Sequence, residues 1–267
     1  MPHFSFWGWP LPFVGAFPRV VAAVDAVEAS LTFRKKDPRP VWRGTARFNS
    51  GHNPHLRQKL LEATRGAAWA DVQALAWNDR PAEADPDGYH SANNSLMIED
   101  FCRYKYVLHT EGITYSGRFQ LLQMCGSVLL TPPIAWLQHT THLVKPLFSC
   151  DLDGGGAPWS PLREVERGWP TRHKPEEANI VFVSPDWSDL EGTVRWLEEH
   201  PDVAEGIARR QRELFVGGGY FSPAAEACYW RALIRGWSKV VRFEGDDWEQ
   251  KEGIRWELFS MGHDINE

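Results

Sequence analysis

Two side chains in one glycine-bearing loop could hold a diphosphate. Ser116 and Arg118 lie at the end of a loop that begins at Glu111, and Gly112 and Gly117 permit backbone angles that other residues resist. A hydroxyl and a guanidinium at the start of a helix suit a diphosphate, because free N–H groups and the helix dipole also favour an anion there. The loop matches neither a G-x-G-x-x-G fingerprint nor a P-loop, so spacing alone leaves an ordinary surface loop equally open.

The elements on both sides of this loop must hold it in place. Tyr104 to Leu108 has the aromatic and branched residues typical of a buried strand. Phe119 to Met124 has the apolar spacing of a helix that faces a core, and Ser127 to Leu130 follows as the next strand. The order strand, loop, helix, strand is the unit that builds a parallel sheet.

Strands and helices alternate along the rest of the chain, which predicts an α/β fold with a mainly parallel sheet. Helices are predicted over residues 18–31, 53–66, 188–200, 201–215 and 223–240, and strands over residues 41–44, 71–77 and 179–184. Ser188 and Glu191 have the spacing of a capping box at the start of one helix. Residues 35–40 are predicted to be a connection and residues 78–94 a loop. The irregular stretch 151–178 is long enough to be either functional or mobile.

The composition limits the possible functions. The 267 residues are 43% hydrophobic and 24% charged, which fits one large globular domain or two small ones. Fourteen Trp residues serve either core packing or sugar binding, and the net charge of −6 argues against a general nucleic-acid or anionic-membrane surface. No apolar stretch has the length of a transmembrane helix. The apolar start, Met1 to Pro18, lacks the basic region of a signal peptide.

Two other constellations are poor candidates for chemistry. His139 and His142, with Cys150 nearby, suggest a metal site, but a H-x-x-H pair needs further ligands in a matching frame. Ser116 lacks the G-x-S-x-G elbow of a serine hydrolase nucleophile. We therefore predict neither a metal site nor a serine hydrolase.

A series of motifs in fixed order resembles a known family. They are Tyr104-Lys105-Tyr106, Glu111-Gly112, Ser116-Gly117-Arg118, Cys125 and Ser127-Val128-Leu129, with Phe6-Trp7-Gly8, Trp42-Arg43-Gly44, Asp202-Val203-Ala204, Ile207-Ala208 and Cys228-Tyr229-Trp230 around them. In this order they resemble the protein O-glucosyltransferase and capsule-associated xylosyltransferase family, a lipopolysaccharide-modifying type of glycosyltransferase domain. The Glu-Gly pair is similar to its fungal branch, and the match covers the chain from about Pro2 to Lys239.

The resemblance implies a fold and a division into domains. The family has two facing α/β domains of the GT-B type. This chain would supply the Rossmann-like, nucleotide-binding half with a remnant of the other half, and would be short at its N-terminus. The implied segments are a remnant and linker over residues 1–40, a nucleotide-sugar-binding domain over 41–222, a helix returning toward the N-terminal domain over 223–240, and a peripheral tail over 241–267.

The resemblance also implies an activity and a set of donor-binding residues. A glucosyl or xylosyl unit would pass from a UDP-sugar to a hydroxyl of a protein or glycan acceptor, usually without a metal and with no other cofactor. No nucleic acid partner and no insertion into a membrane are implied, and the setting would be the lumen of the endoplasmic reticulum or Golgi. The residues implied at the donor are Arg43, Gly44, Glu111, Gly112, Thr114, Ser116 and Arg118.

Two further expectations concern the cysteines and the catalytic base. In the family, cysteines matching Cys102 and Cys125 form a disulfide, whereas the upstream partner of Cys228 in animal members has no counterpart here. The family's catalytic aspartate lies upstream of the segment matching Phe6-Trp7-Gly8, so no catalytic residue is assigned and poor sugar transfer is expected. The alternative is a non-catalytic nucleotide-sugar-binding or interaction protein.

Overall fold

A sheet of six parallel strands forms the centre of the computed structural model, within the residues that it describes: Gly8, Leu11, 13–77, 92–153 and 159–242. The strands are β1 (Asp37–Gly44), β2 (Asp71–Ala74), β3 (Tyr104–Leu108), β4 (Val128–Thr131), β5 (Pro146–Phe148) and β6 (Ile180–Phe182). Their order in the sheet is β2-β1-β3-β4-β6-β5, and every neighbouring pair is parallel. The predicted α/β class with a Rossmann-like parallel sheet is confirmed.

Helices connect the strands and cover the sheet. They are α1 (Phe17–Ser30), α2 (Leu56–Ala63), α3 (Phe119–Leu122), α4 (Arg163–Gly168), α5 (Leu190–Glu199), α6 (Pro201–Arg212) and α7 (Pro223–Val240). The chain divides into two compact units, residues 1–225 and 226–267, and most of α7 belongs to the second unit. Within that unit the Trp230 indole donates a hydrogen bond of 3.2 Å to the Glu226 carboxylate, one helical turn away.

Both faces of the sheet are buried, because successive side chains of a strand point to opposite faces. On β3, Val107 belongs to the apolar cluster that contains α1 and α3, whereas Tyr106 and Leu108 belong to the cluster that contains α2, α5 and α6. All three side chains are at most 1% exposed. The pattern explains why residues 128–130 of β4 and all three residues of β6 are apolar.

The structure corrects the predicted extent of several elements. Residues 35–40 are not a connection, since β1 already begins at Asp37; its prolines are accommodated by a register shift between Asp37 and Pro40 in the pairing with β3. The strand predicted over residues 71–77 ends at Ala74. Two elements were not predicted: the three-residue strand β5 and the helix α4, which lies inside the stretch 151–178.

The capping box at the start of α5 was also predicted wrongly. The helix begins at Leu190 with Asp189 as its N-cap residue, and no side chain caps it. The Asp189 carboxylate instead accepts the Ser184 backbone N–H at 2.9 Å and the Ser149 hydroxyl. The carboxylate therefore joins the end of β6 to the end of β5, which satisfies it better than the helix terminus would.

Candidate functional site

A cleft of about 940 Å³ opens at the carboxyl edge of the sheet. Its walls include Glu111 after β3, Thr131 and Pro132 at the end of β4, Ser184 after β6, and Leu56 at the start of α2. From β1 the chain runs outward to β2 and then returns to β3 on the opposite side of β1. Crevices at such a reversal are the usual ligand sites of open α/β sheets.

The loop between β3 and α3, which the sequence predicts, lies at this reversal. The Gly112 N–H donates to the Thr114 carbonyl at 2.9 Å, and the Phe119 N–H donates to the Ser116 carbonyl at 3.0 Å. Of the predicted donor residues, Glu111 lines the cleft and the others lie outside its lining. The helix after the loop has only four residues, so its dipole contributes less to anion binding than the sequence pattern predicts.

The two predicted arginines are joined to each other and to the sheet. The buried Arg43 guanidinium pairs with the Asp71 carboxylate at 2.7 Å and donates to the Trp42 carbonyl at 2.9 Å. Arg118 donates to the Arg43 carbonyl at 2.6 Å. Gly44 has a packing role, because a Cβ there would lie 2.5 Å from the Trp42 ring. Arg43 therefore supports the strand ends, and Arg118 ties the loop to β1.

Arg57, which the sequence analysis did not single out, is the second arginine beside the loop. It is 5% exposed and donates to the carbonyls of Glu111 at 3.2 Å and Thr45 at 2.7 Å. Burial, with a smaller effect of Arg118, lowers the pKa of Arg57 to about 9, and burial lowers the pKa of Arg118 to about 10. Neither guanidinium forms an ion pair with another described residue. We call Arg57 and Arg118 the arginine pair.

His109 lies in the same region and is uncharged. Its ring packs on Phe119 with 4.6 Å between the centroids, and its buried Nε2 has no hydrogen-bond partner among the described residues. Burial, followed by the charges of Arg118 and Arg57, lowers the pKa of His109 to about 3. The positive charge at the end of β3 therefore comes from the arginine pair.

Glu111 brings a partly neutral carboxyl group into the cleft. Its Oε1 accepts the backbone N–H groups of Trp136 at 2.8 Å and Ala135 at 3.2 Å. Burial raises the pKa of Glu111 to about 7, although these two hydrogen bonds oppose the shift. The group is therefore half protonated near neutral pH.

Glu111→Gln is expected to raise the free energy of unfolding by about 1–2 kcal/mol at pH 8 and to leave it nearly unchanged at pH 4. The raised pKa keeps the folded protein protonated up to about pH 7, whereas the unfolded chain releases the proton near its ordinary value. Wild-type stability therefore falls as the pH rises through this window. A shift of one pKa unit corresponds to 1.36 kcal/mol. The expected change in the free energy of unfolding is smaller than the full shift implies, because the cleft is open to water.

Urea unfolding of both proteins at the two pH values tests this prediction. Glutamine keeps an oxygen that can accept the two backbone N–H groups, so a change in stability reports the charge. Glu199→Gln, at an exposed position on α5, is the matched control and should change stability by less than about 0.5 kcal/mol. A Glu111→Gln effect of the same size at pH 4 and pH 8 would contradict the assigned role of ionisation.

An aromatic wall, which we define as Trp159 and Trp169, closes the cleft on the side of α4. The Trp159 indole donates to the Ser149 hydroxyl at 2.8 Å, and the Trp169 indole donates to the Ile134 carbonyl at 3.1 Å. Both N–H groups are thus satisfied within the protein, which leaves the rings to contribute apolar surface. The stretch 151–178, predicted as irregular, supplies this wall.

The comparison with known protein families assigns the chain to one of them. The family model described as "Glycosyl transferase family 90" matches residues 1–149, which is more than half of the chain. The chain belongs to glycosyl transferase family 90. The matched residues contain β1 to β5, the loop after β3 and the arginine pair.

Curated relatives of this family 90 chain are distant and longer. It is 22% identical over 247 residues to an "O-glucosyltransferase rumi homolog" of Anopheles gambiae, covering 91% of this chain and 53% of the relative. It is also 22% identical over 256 residues to human "Protein O-glucosyltransferase 1", covering 91% of this chain and 54% of the relative. The chain spans about half the length of the curated relatives that it matches.

The family 90 chain contains the disulfide that the resemblance implies. Cys102, just before β3, is bonded to Cys125, just after α3, and both residues are fully buried. This prediction is confirmed. Cys150 and Cys228 carry free thiols. The bond links the two ends of the segment that contains β3, the loop and α3.

Metal ligands are sparse in the described part of this family 90 chain. The one cluster of His, Cys, Asp or Glu side chains close enough to share an ion consists of Glu28 and the two disulfide-bonded cysteines. His139, His142 and Cys150 form no such cluster. Among the described residues, no helix is both long enough and apolar enough to cross a membrane.

Proposed function

We propose that the cleft binds a UDP-sugar and that the chain is the donor-binding part of a GT-B glycosyltransferase. The enzyme transfers a glucosyl or xylosyl unit to a hydroxyl of a protein or glycan acceptor. Membership of family 90 and relatives named as O-glucosyltransferases support this proposal. A nucleotide-sugar-binding protein without transfer activity is the alternative.

The arginine pair is the observation that carries the proposal. Two buried guanidinium groups without a carboxylate partner are costly unless a ligand brings the negative charge. Arg57 donates to the Glu111 carbonyl, and Arg118 lies at the end of the same loop. Neither guanidinium lines the cleft, so both cations lie behind Glu111, which does line it. A diphosphate fits this arrangement, because guanidinium groups bind phosphate oxygens through two parallel N–H donors.

The same pair explains how a sugar could be transferred without a metal. As the bond from the anomeric carbon to the diphosphate oxygen breaks, negative charge builds up on UDP. The arginine pair would stabilise this charge as it develops. The acceptor oxygen bonds to the anomeric carbon while its proton passes to a general base. We assign no residue of the described chain to that base.

The nucleotide would extend from the arginine pair toward the aromatic wall. The apolar rings of Trp159 and Trp169 suit a planar base or the C–H face of a sugar. Glu111 and Ser184 also line the cleft and offer hydrogen-bond acceptors to hydroxyl groups. The cleft volume of about 940 Å³ lies within the range of ligand sites in proteins.

The setting of the reaction is proposed to be the lumen of the secretory pathway. A buried structural disulfide persists in oxidising compartments and is rare in the cytosol. The acceptor is proposed to be a hydroxyl compound presented there, since the human relative is named a protein O-glucosyltransferase.

Calorimetry with UDP, UDP-glucose and UDP-xylose, followed by an assay for UDP release, tests the proposal. UDP is expected to bind with a dissociation constant below about 100 µM, and ADP should bind more weakly. Addition of EDTA should leave UDP binding unchanged. Absence of UDP binding at millimolar concentration would overturn the donor site, whereas binding of UDP-sugar without turnover, even with acceptors present, would favour the non-catalytic alternative.

A further inference from the structure

A second groove, of about 460 Å³, lies beside the cleft. Its lining comes from the chain between β4 and β5 and from the chain that follows α4. Leu137, Gly168 and Trp169 line both the groove and the cleft, so the two cavities share one wall. A molecule longer than a single sugar could therefore occupy both cavities at once.

The groove contains one lysine and two histidines, although the whole chain is acidic. Lys145, His142 and His173 line it, and no described Asp or Glu does. Lys145 and His142 form no ion pair with another described residue, and the His173 ring lies 3.9 Å from the Glu177 carboxylate. Burial and then the charge of Lys145 lower the pKa of His173, so this ring is neutral near pH 7. The groove thus offers one cation, Lys145, that no described carboxylate pairs with, and a histidine, His142, that can donate a hydrogen bond.

The remaining lining suits a sugar ring. The Trp169 indole N–H is already bonded to the Ile134 carbonyl, so its ring contributes an apolar face. Thr171 is exposed and offers a hydroxyl, whereas the Thr141 hydroxyl already accepts the Gln138 backbone N–H at 2.7 Å. An aromatic face, hydroxyl groups and a cation together match a sugar that carries a carboxylate.

We propose that the groove binds a uronic acid residue of a glycan acceptor, with its carboxylate on Lys145 and His142. The inference rests on the proposed function, because an acceptor needs a donor in the adjoining cleft. The sugar to be modified would lie in the cleft, and the acidic residue would lie beyond Trp169. A phosphate ester would meet the same two side chains, so the experiment includes one.

Trigalacturonic acid is the probe, titrated into the purified chain by calorimetry, with maltotriose and glucose 6-phosphate as comparison ligands. The trigalacturonate is expected to bind, and maltotriose should bind at least tenfold more weakly. Lys145→Ala should weaken trigalacturonate binding at least fivefold, and the double variant His142→Ala, Lys145→Ala at least tenfold. Lys174→Ala, an exposed lysine outside the groove lining, should change it less than twofold.

UDP titrations of the same variants separate this inference from the proposed function. All variants should bind UDP as tightly as the wild type, which also shows that they are folded. UDP binding without trigalacturonate binding, or equal effects of Lys145→Ala and Lys174→Ala, would overturn the inference alone. Lysine-dependent binding of glucose 6-phosphate but not of trigalacturonate would replace the uronate by a phosphate ester. Trigalacturonate binding without UDP binding would overturn the acceptor role together with the proposed function.

Discussion

Arg118→Ala is expected to weaken UDP binding by about 1.5–3 kcal/mol, which is roughly a 10- to 150-fold loss of affinity. This is the scale of one hydrogen bond to a charged group. Arg118 links the loop after β3 to β1 by donating a hydrogen bond to the Arg43 carbonyl. The substitution therefore removes both a positive charge and a contact that holds the loop in place. Calorimetry with UDP measures the loss.

Two further variants separate the loss of the Arg118 charge from the loss of the contact that holds the loop. Arg118→Lys keeps the charge but loses the planar fork, so UDP affinity should fall by less than in Arg118→Ala. Arg195→Ala, an exposed arginine of α5 that pairs with Glu191, is the control and should not change UDP affinity. Thermal unfolding of each variant shows whether the fold is retained. UDP affinity unchanged in a folded Arg118→Ala protein would remove the arginine pair from the donor site.

Removal of the disulfide through the double variant Cys102→Ala, Cys125→Ala should lower the free energy of unfolding by about 3.5 kcal/mol. The bond joins residues 23 positions apart, and closing a loop of this size restricts the unfolded chain by about that amount in the chain-entropy model. For a domain of this size the melting temperature should fall by about 7–14 °C. Denaturant unfolding at equilibrium gives the free energy directly.

A second cysteine variant and a chemical test serve as controls. Cys228→Ala removes a free thiol at an exposed position and should change stability by less than about 0.5 kcal/mol. Treatment of the wild-type protein with a reductant should reproduce most of the loss seen in the double variant. Equal stability of the oxidised and reduced proteins would show that the bond contributes nothing to the folded state.

The central strands of the fold are predictable from sequence, whereas the edge strand β5 and the start of β1 are not. The apolar runs around Val107 and Val181 are buried on both faces, and such runs are typical of central parallel strands. The edge strand β5 has only three residues and begins with a proline, so no periodicity marks it. The start of β1 was missed because Pro38 and Pro40 normally interrupt a strand.

The loop after β3 was predictable from sequence as a structural element, whereas Arg57 beside it was not, and the donor-binding role of the loop stays a prediction. The glycines and the Ser-x-Arg spacing after β3 indicate the loop correctly, and Arg118 lies in it. Arg57 was not predicted as a site residue, because the periodicity of its helix indicates Leu56 and Leu60 as the buried face. Its burial depends on the carbonyls of Thr45 and Glu111, which come together only in the folded sheet.

The disulfide also bears on the order in which the sheet assembles. It closes a short loop within one strand-loop-helix-strand unit, and the entropic cost of closing a loop rises with its length. The pairing of β1 with β3 joins Val41 to Val107 across a much longer stretch that includes α2 and β2. Distant contacts form more slowly than local ones. We therefore expect Arg118 to join a local, covalently linked unit early, whereas the carbonyl partners of Arg57 come together only with the long-range pairing. The proposed ligand site would then be complete only after that pairing.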